Sequence, residues 1–229
     1  MSTASDPETA IGQGRMRPDR SRVTGPDPGP TAARLRTAGL GNRLIRPFDI
    51  AVATGECITV TGASGSGKSL LLRLIADLDE GEGEVFLDGV ARSTVPAPAW
   101  RRQVAYVAAE SGWWNEAVAP HFPDLAAART MASAFDLRPE LFDGPVLRLS
   151  TGEKQRLALL RILLGNPKVL LLDEPTGALD AGSQALVEAV LRDHLARGCA
   201  MVLVTHDSRQ AERLGHQHFV IRAGTLNRA

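Results

Sequence analysis

Apolar runs recur along this chain and are separated by segments in which apolar residues have helical spacing. Three runs, at residues 57–61, 168–172 and 199–205, are continuous rather than alternating. A short continuous apolar run is typical of a strand buried on both faces, as strands are in parallel sheets. Segments 70–76 and 181–197 have the periodicity of helices. The pattern therefore predicts an α/β fold in which helices cover both faces of a mostly parallel sheet.

Weaker signals predict the remaining elements. The alternating or short apolar runs predict strands at residues 33–35, 44–52, 81–89 and 102–108. Strand signals fade between residues 111 and 150, where the alanine-rich run 124–135 predicts a small helical subdomain. A further helix is predicted at residues 152–164, before a Gly-Asn-Pro stop.

Residues 1–30 have few large apolar side chains, and the segment is rich in proline and glycine. Such a segment cannot bury enough apolar surface to order itself, so we predict a disordered tail and a folded domain at residues 31–229. Four arginines of this tail can contact an anionic lipid or a nucleic acid. Because acidic residues lie between them, a solvated tail is favoured. These arginines are Arg15, Arg17, Arg20 and Arg22.

The overall charge is balanced. Lys+Arg and Asp+Glu both number 26, so the net charge is zero and we expect no direct nucleic-acid partner. We find no run of about 18 apolar residues that would span a bilayer, and no secretory signal. We therefore expect a cytoplasmic protein in which Cys57 and Cys199 are reduced and buried.

The strand at residues 57–61 leads into a motif of the form G-x-x-x-x-G-K-[ST], and a predicted helix follows it. A glycine-rich turn between a strand and a helix directs several backbone N–H groups at one point, where the helix adds partial positive charge. The motif predicts a phosphate site, with Lys68 on the β- and γ-phosphates and the Ser69 hydroxyl on Mg²⁺. A glycine-rich turn that binds nothing is the less favoured interpretation. The motif comprises Gly62, Ala63, Ser64, Gly65, Ser66, Gly67, Lys68 and Ser69.

Two further apolar runs end in polar residues. Asp173 and Glu174 follow one run, and His206 follows another. Since ligands bind beyond the carboxyl ends of parallel strands, these residues are expected to meet the phosphate motif. We predict that Asp173 holds Mg²⁺, that Glu174 orients the attacking water, and that His206 contacts the γ-phosphate. The alternatives are strand-end acidic residues that face solvent and a purely structural histidine.

Three segments resemble motifs of the ATP-binding cassette (ABC) ATPases. Residues 149–156 (LSTGEKQR) resemble the signature motif, residues 173–180 (DEPTGALD) the Walker B motif and D-loop, and residues 205–207 (THD) the H-loop. The order and spacing agree from about residue 31 to the last residue. The resemblance implies a P-loop NTPase fold, with a RecA-like, mostly parallel core sheet, an antiparallel β subdomain and a small α-helical subdomain at about residues 111–150.

The resemblance also implies a mechanism. Two copies would pair head to tail around two ATP molecules, with Ser150 and Gly152 of one copy and the D-loop Asp180 completing the site on the other copy. ATP and Mg²⁺ are the implied cofactors. Hydrolysis would open the dimer and move separate polytopic membrane permease subunits, so the protein would be peripheral on the cytoplasmic face of the membrane.

Several positions differ from the family pattern. Leu40 lies where the family has an aromatic residue that stacks on adenine, so we expect Leu40 to give adenine a weaker apolar contact. Leu70 lies where the family commonly has a hydroxyl that contacts the α-phosphate. Ala109 stands where the family has the Q-loop glutamine, so we expect Glu110 to reach the metal or the water instead. Glu153 replaces the commoner glutamine of the signature motif.

The adjacent Trp113 and Trp114 follow the Q-loop, near the groove that accepts a membrane subunit in this family. A contact with the permease and packing on the helical subdomain are equally favoured. His216 and His218 are two apart on a predicted strand, where ordinary strand-surface histidines are favoured over metal ligands.

Two other functions stay open. One is a soluble ABC ATPase that acts as a nucleotide switch on a protein or nucleic-acid complex, and the other is a degenerate cassette that binds ATP but hydrolyses it poorly. Among transporters, the short insertion at residues 110–149 favours an exporter or an envelope-directed system.

Overall fold

The computed structural model describes residues 33–229, and the predicted tail with its arginines lies outside the described residues. The strands are β1 (Ala33–Gly41), β2 (Ala51–Ala53), β3 (Cys57–Thr61), β4 (Glu82–Leu87), β5 (Val90–Ala91), β6 (Val104–Val107), β7 (Val169–Asp173), β8 (Ala200–Val204), β9 (Gln217–Arg222) and β10 (Thr225–Arg228). The α-helices are α1 (Lys68–Ile75), α2 (Ala97–Gln103), α3 (Leu125–Met131), α4 (Thr151–Leu163), α5 (Ala181–Ala196) and α6 (Ser208–Leu214).

The main sheet has the order β10-β9-β3-β8-β7-β6, and β10 is its antiparallel edge strand while the others are parallel. Successive side chains of its central strands alternate between two hydrophobic cores. Leu171 and Val202 pack with α1 on one face, whereas Leu172 and Leu203 pack with α4 and α5 on the other. The prediction of a parallel sheet buried on both faces is confirmed, because period-two strands with two buried faces need apolar residues at every position.

A second, antiparallel sheet has the order β2-β1-β4-β5. Its strands differ from the prediction of strands at residues 33–35 and 44–52. The first strand continues to Gly41, and Leu40 forms an isolated antiparallel bridge with Phe48. Pairing with β4 holds this longer strand in place, and such long-range pairing leaves little trace in the local apolar pattern.

The predicted helical segment is only partly α-helical. After α3, residues 132–135 tighten into a 3₁₀-helix, and further 3₁₀ turns occupy residues 119–121, 139–143 and 146–148. The segment still has its own buried aromatic centre, in which the rings of Phe122 and Phe142 meet edge to face at 5.0 Å. Short turns around a few aromatic side chains therefore replace the continuous helix expected at residues 124–135.

The carboxyl ends of β3, β7 and β8 lie at the same edge of the main sheet, because the three strands are parallel neighbours. The phosphate motif, Asp173 and His206 thus leave the sheet at one edge, as predicted. Within residues 33–229, none of the helices has both the length and the apolar character needed to cross a bilayer.

Candidate active site

The phosphate loop depends on glycines that tolerate unusual backbone geometry. Gly62, Gly65 and Gly67 have φ angles of 154°, 73° and 108°. A Cβ atom on Gly62 would also lie 2.4 Å from the carbonyl oxygen of Ile221, which is rigid backbone. Residues with side chains rarely adopt such angles, so these glycines allow the turn that leads from β3 into α1.

Lys68 crosses this turn from the first residue of α1. Its ammonium group donates to the carbonyl oxygens of Gly62 and Ala63, both at 3.0 Å, and its side chain is buried. An ammonium group has three donors, so one is left for a ligand. The hydroxyl oxygen of Ser66 is buried and has no hydrogen-bond partner among the described residues. A phosphate oxygen in the loop would supply a partner to both groups, so the loop fits a phosphate.

A cavity of about 310 Å³ lies over this loop, and it brings together most of the residues predicted for catalysis. Its lining residues are Ser64, Gly65, Gly67, Lys68, Ser69, Leu70, Glu174 and His206. Glu174 and His206 come from the ends of β7 and β8, which the parallel sheet places beside the loop after β3. Leu70 lines the same cavity and packs partly against the core.

Glu174 and His206 contact each other directly. The Nε2 atom of His206 lies 2.9 Å from the Oε1 atom of Glu174, and both side chains are partly exposed. The backbone of Glu174 has a left-handed φ of 49°, which is strained for a residue with a side chain. Its N–H donates to the carbonyl oxygen of Val204, and its carbonyl oxygen accepts from the Gly177 N–H and from the side chain of Gln155. These bonds hold the carboxylate at the cavity wall.

Asp173 is buried and accepts a hydrogen bond of 3.0 Å from the Tyr106 hydroxyl. Burial, together with the neighbouring Asp173 carboxylate, raises the pKa of Tyr106 well above its usual range, so the phenol stays a donor. Carboxylate and hydroxyl oxygens are the ligands that Mg²⁺ prefers, so Asp173 and Ser69 fit the predicted metal role. Sequence reasoning missed Tyr106, whose position opposite Leu171 of β7 follows only from strand pairing.

The signature motif lies elsewhere. Ser150 is the exposed N-cap of α4, where its hydroxyl accepts from the Glu153 N–H at 3.2 Å and donates to the Glu153 carboxylate at 2.8 Å. Burial acts to raise the pKa of Glu153, but the bonds from the Ser150 N–H and hydroxyl, together with the Arg138 and Arg156 charges, hold this pKa below its ordinary value. Neither Ser150 nor Gly152 lines the phosphate cavity of its own chain.

Asp180 is the N-cap of α5, at the end of the predicted D-loop. Its carboxylate accepts from the backbone N–H groups of Gly182 and Ser183 and from the Ser183 hydroxyl. The bond from the Ser183 N–H, followed by that from its hydroxyl, lowers the pKa of Asp180. The negative charge lies at the positive end of the α5 dipole, which stabilises both.

The expectation that Leu40 contacts adenine is wrong. Its side chain is completely buried, because β1 extends through it and turns it into the core. Leu44, four residues later, is 73% exposed and lines an open cavity of about 1170 Å³ with Asn42 and Arg46. This cavity lies on the surface between the two sheets' loops, and Ala223 lines both it and a third cavity along the outside of the phosphate loop.

Glu110 is exposed after β6 and does not line the phosphate cavity. Trp113 is half-buried, whereas Trp114 is 71% exposed. The Arg161 guanidinium lies 5.1 Å and 4.8 Å from the centres of these two rings, close enough for cation–π contact. His121 accepts hydrogen bonds from the Trp114 and Asn115 N–H groups, so the exposed ring stands on a fixed loop.

His216 and His218 have local partners. The Nδ1 atom of His216 accepts from the Cys57 N–H, and that of His218 pairs with the Thr59 hydroxyl at 2.8 Å. Within residues 33–229, no cluster of three or more metal-ligating side chains is present.

Comparisons with known proteins identify a family for this chain. A family model described as ABC transporter matches residues 45–177. The chain is 40% identical over 210 residues to the aliphatic sulfonates import ATP-binding protein SsuB 3 of Nocardia farcinica, covering 85% of this chain and 78% of that protein. It is 37% identical over 203 residues to Protein STAR1 of Oryza sativa subsp. japonica, covering 83% of this chain but only 59% of STAR1.

The fold is also that of a solved cassette. The dimeric post-hydrolysis structure of the ATP-binding cassette MJ0796, bound to ADP and phosphate, superposes with a TM-score of 0.75. The sequence identity is 23%, and the match covers 85% of this chain and 97% of that chain. At this identity the likeness concerns the fold: a P-loop NTPase core with its accessory β-sheet and helical segment.

Proposed function

Because the chain belongs to the ABC transporter family, we propose that it is the ATP-hydrolysing subunit of a transporter whose membrane-spanning subunits are separate chains. Its enzymatic activity is the ATPase reaction of that family. One observation carries the assignment of residues: a single cavity joins the phosphate loop to Glu174 and His206.

The residues of this cavity suit an in-line hydrolysis. Water attacks the γ-phosphorus, the bond from that phosphorus to the β,γ-bridging oxygen breaks, and Glu174 accepts the proton of the water. Lys68 stabilises the negative charge on the phosphate oxygens, and His206 orients Glu174 through their 2.9 Å contact. Ser69 and Asp173 would hold Mg²⁺, which supplies further positive charge to the phosphates.

We propose that the working form is a head-to-tail dimer of two copies. Ser150 and Gly152 do not line their own chain's phosphate cavity, although Ser150 begins a helix that suits an anion. A second copy can bring this helix end to the γ-phosphate, with Asp180 at the shared surface. Loss of the γ-phosphate then removes the bridge and lets the dimer open.

The substitution Glu174→Gln tests both points. It should retain ATP binding, lower turnover by about 10²–10⁴-fold because the general base is lost, and accumulate an ATP-bound dimer in light scattering. The exposed Glu140→Gln, outside the cavity, serves as the control. A Glu174→Gln protein that stays monomeric and hydrolyses ATP normally would remove the assignment.

For the adenine base we propose the surface around Leu44. The loop that carries it adjoins the phosphate loop, because the Arg46 N–H donates to Gly224, whose own N–H donates to Ser66. An exposed aliphatic side chain offers the base a contact weaker than an aromatic stack.

We propose that the partner is a polytopic permease and that the chain binds it on the cytoplasmic face of a membrane. Trp114 is the proposed contact with this permease. Glu110 lies in the adjacent loop, and its proposed role is the one expected from the sequence, at the metal or the attacking water. An exposed tryptophan on a fixed loop is suited to anchor an interface. The name of SsuB 3 favours import over the export suggested by the short insertion. Co-purification with the permease in detergent should be lost on Trp114→Ala. Unchanged co-purification of the Trp114→Ala protein would exclude this anchor, whereas a wild-type protein that does not co-purify with the permease would favour the soluble nucleotide switch.

A further inference from the structure

The side chain of Gln155 joins the signature helix to the turn that follows β7. Its Nε2 donates to the carbonyl oxygen of Glu174 at 2.8 Å, and its Oε1 accepts from the Ala178 N–H at 3.3 Å. Gln155 is only 6% exposed. One buried amide therefore satisfies a backbone acceptor and a backbone donor at the two ends of a five-residue turn.

The part of the turn that Gln155 holds is strained. Glu174 has its left-handed φ of 49° there, and such geometry persists only where surrounding contacts fix it. The Gly177 and Val204 bonds lie within or beside the turn, whereas the bond from Gln155 comes from another helix. The carboxylate of Glu174 is thus oriented partly by α4.

A second contact links the same two elements. A Cβ atom on Gly152 would lie 3.2 Å from the Leu179 side chain and 3.4 Å from the Ala178 carbonyl oxygen, so the first turn of α4 packs directly on the D-loop turn. Gln155, one turn further along α4, adds directional bonds to this packing. A shift of α4 must therefore move the backbone of Glu174 or break two partly buried hydrogen bonds.

We propose that Gln155 is a positioning residue that fixes Glu174 within its own chain and links the two ATP sites of the dimer. This inference rests on the proposed dimer. The same helix begins at Ser150, which serves the ATP on the partner, while Gln155 acts on the base for the ATP on its own phosphate loop. Binding at one site can thereby set the geometry of the other.

The first experiment replaces Gln155 with leucine, which has similar volume but makes neither bond. We expect kcat to fall about ten- to hundredfold because the base is misplaced, while KM and the ATP-induced dimer are unchanged. Gln155→Met, whose flexible side chain fills the same space, should give the same loss if the leucine variant folds poorly. Gln217→Leu is the matched control. Gln217 pairs with Glu56 at the amino end of β9, whereas the cavity lies at the carboxyl ends of the parallel strands.

Thermal unfolding of each variant separates catalysis from stability. A kcat within twofold of the wild type in a folded Gln155 variant overturns the inference. An equal loss of kcat in Gln217→Leu overturns it too, because a general loss of packing would then explain the effect.

Linked dimers of two full-length copies test which site Gln155 serves. Placing Gln155→Leu and Glu174→Gln on different copies should reduce turnover well below that of the dimer with Glu174→Gln alone. Placing both on the same copy should match that reference, since the remaining active site keeps its own Gln155. The reverse order of activities overturns the inference.

The same measurements distinguish a wrong assignment of the base from a wrong assignment of the positioning residue. If Glu174→Gln alone hydrolyses ATP normally, the proposed base is wrong and the positioning inference falls with it. If Glu174→Gln is inactive but Gln155→Leu is normal, only the role of Gln155 fails.

Discussion

The two ends of the candidate nucleotide site are built from different kinds of structure. At the phosphate end, Lys68, Glu174 and His206 leave adjacent parallel strands and meet around one cavity. At the proposed base end, β1 belongs to an antiparallel sheet and buries Leu40, whereas the loop after β1 exposes Leu44.

The difference shows what a local pattern can locate. Parallel strands bring their carboxyl ends to one edge whatever side chains they carry, so motifs at strand ends converge. In a strand of an antiparallel sheet, a side chain faces the core or solvent according to register and to where the strand stops. β1 runs six residues beyond the predicted end at residue 35, and this length decides the face that Leu40 occupies.

Among the variants that compare the two ends of the site, Lys68→Ala should have the largest effect, because it removes the charge at the phosphate end. We expect kcat/KM for ATP to fall by about 10²–10³-fold, measured as phosphate release at saturating Mg²⁺. Lys168→Ala, which removes an exposed lysine that pairs with Asp88, is the control. Turnover within threefold of the wild type would show that the loop does not hold the reacting phosphate.

Leu40→Ala should act on stability alone. Emptying a fully buried leucine site costs about 2–5 kcal/mol of unfolding free energy, whereas Leu44→Ala should cost less than about 0.5 kcal/mol. Denaturant unfolding measures both. At a temperature where Leu40→Ala is folded, its ATP affinity should equal that of the wild type, and a weaker affinity would restore Leu40 as a base contact.

Tyr106→Phe should weaken metal use at the phosphate end. Losing the hydrogen bond that orients Asp173 should raise the Mg²⁺ concentration for half-maximal turnover by about tenfold, and removal of Mg²⁺ with a chelator should stop turnover in both proteins.

The wild-type Tyr106 bond should also persist in alkali. The pKa of Tyr106 is raised in the folded protein, so the stabilisation from its protonated form is complete below about pH 10 and is lost only as pH rises further.

A Mg²⁺ requirement that does not change on Tyr106→Phe would contradict a role for Asp173 at the metal.

Leu44→Tyr should have the smallest effect, a gain at the base end. A ring that stacks on the base is worth about 0.5–1.5 kcal/mol, so ATP should bind up to about tenfold more tightly in equilibrium titration. Arg43→Tyr, on the neighbouring residue of the same loop, is the comparison. Equal gains from both variants, or none from either, would place the base elsewhere.

The sequence by itself determined the α/β class, the phosphate loop and the strand-end positions of Asp173, Glu174 and His206. These features depend on apolar runs and on spacings within a few residues of each strand end, which the chain carries locally. Strand β8 is apolar throughout and β7 is apolar up to its last residue, Asp173, so both needed two buried faces, and a covered parallel sheet supplies them.

Only the tertiary structure decided which face Leu40 occupies, that Tyr106 reaches Asp173, and that Gln155 holds Glu174. Each of these depends on the pairing or packing of elements far apart in the chain, such as Tyr106 with Asp173, which are 67 residues apart. When two residues are far apart in the sequence, strand register and helix placement determine whether their side chains meet. The residue types alone indicate only that a polar group is present.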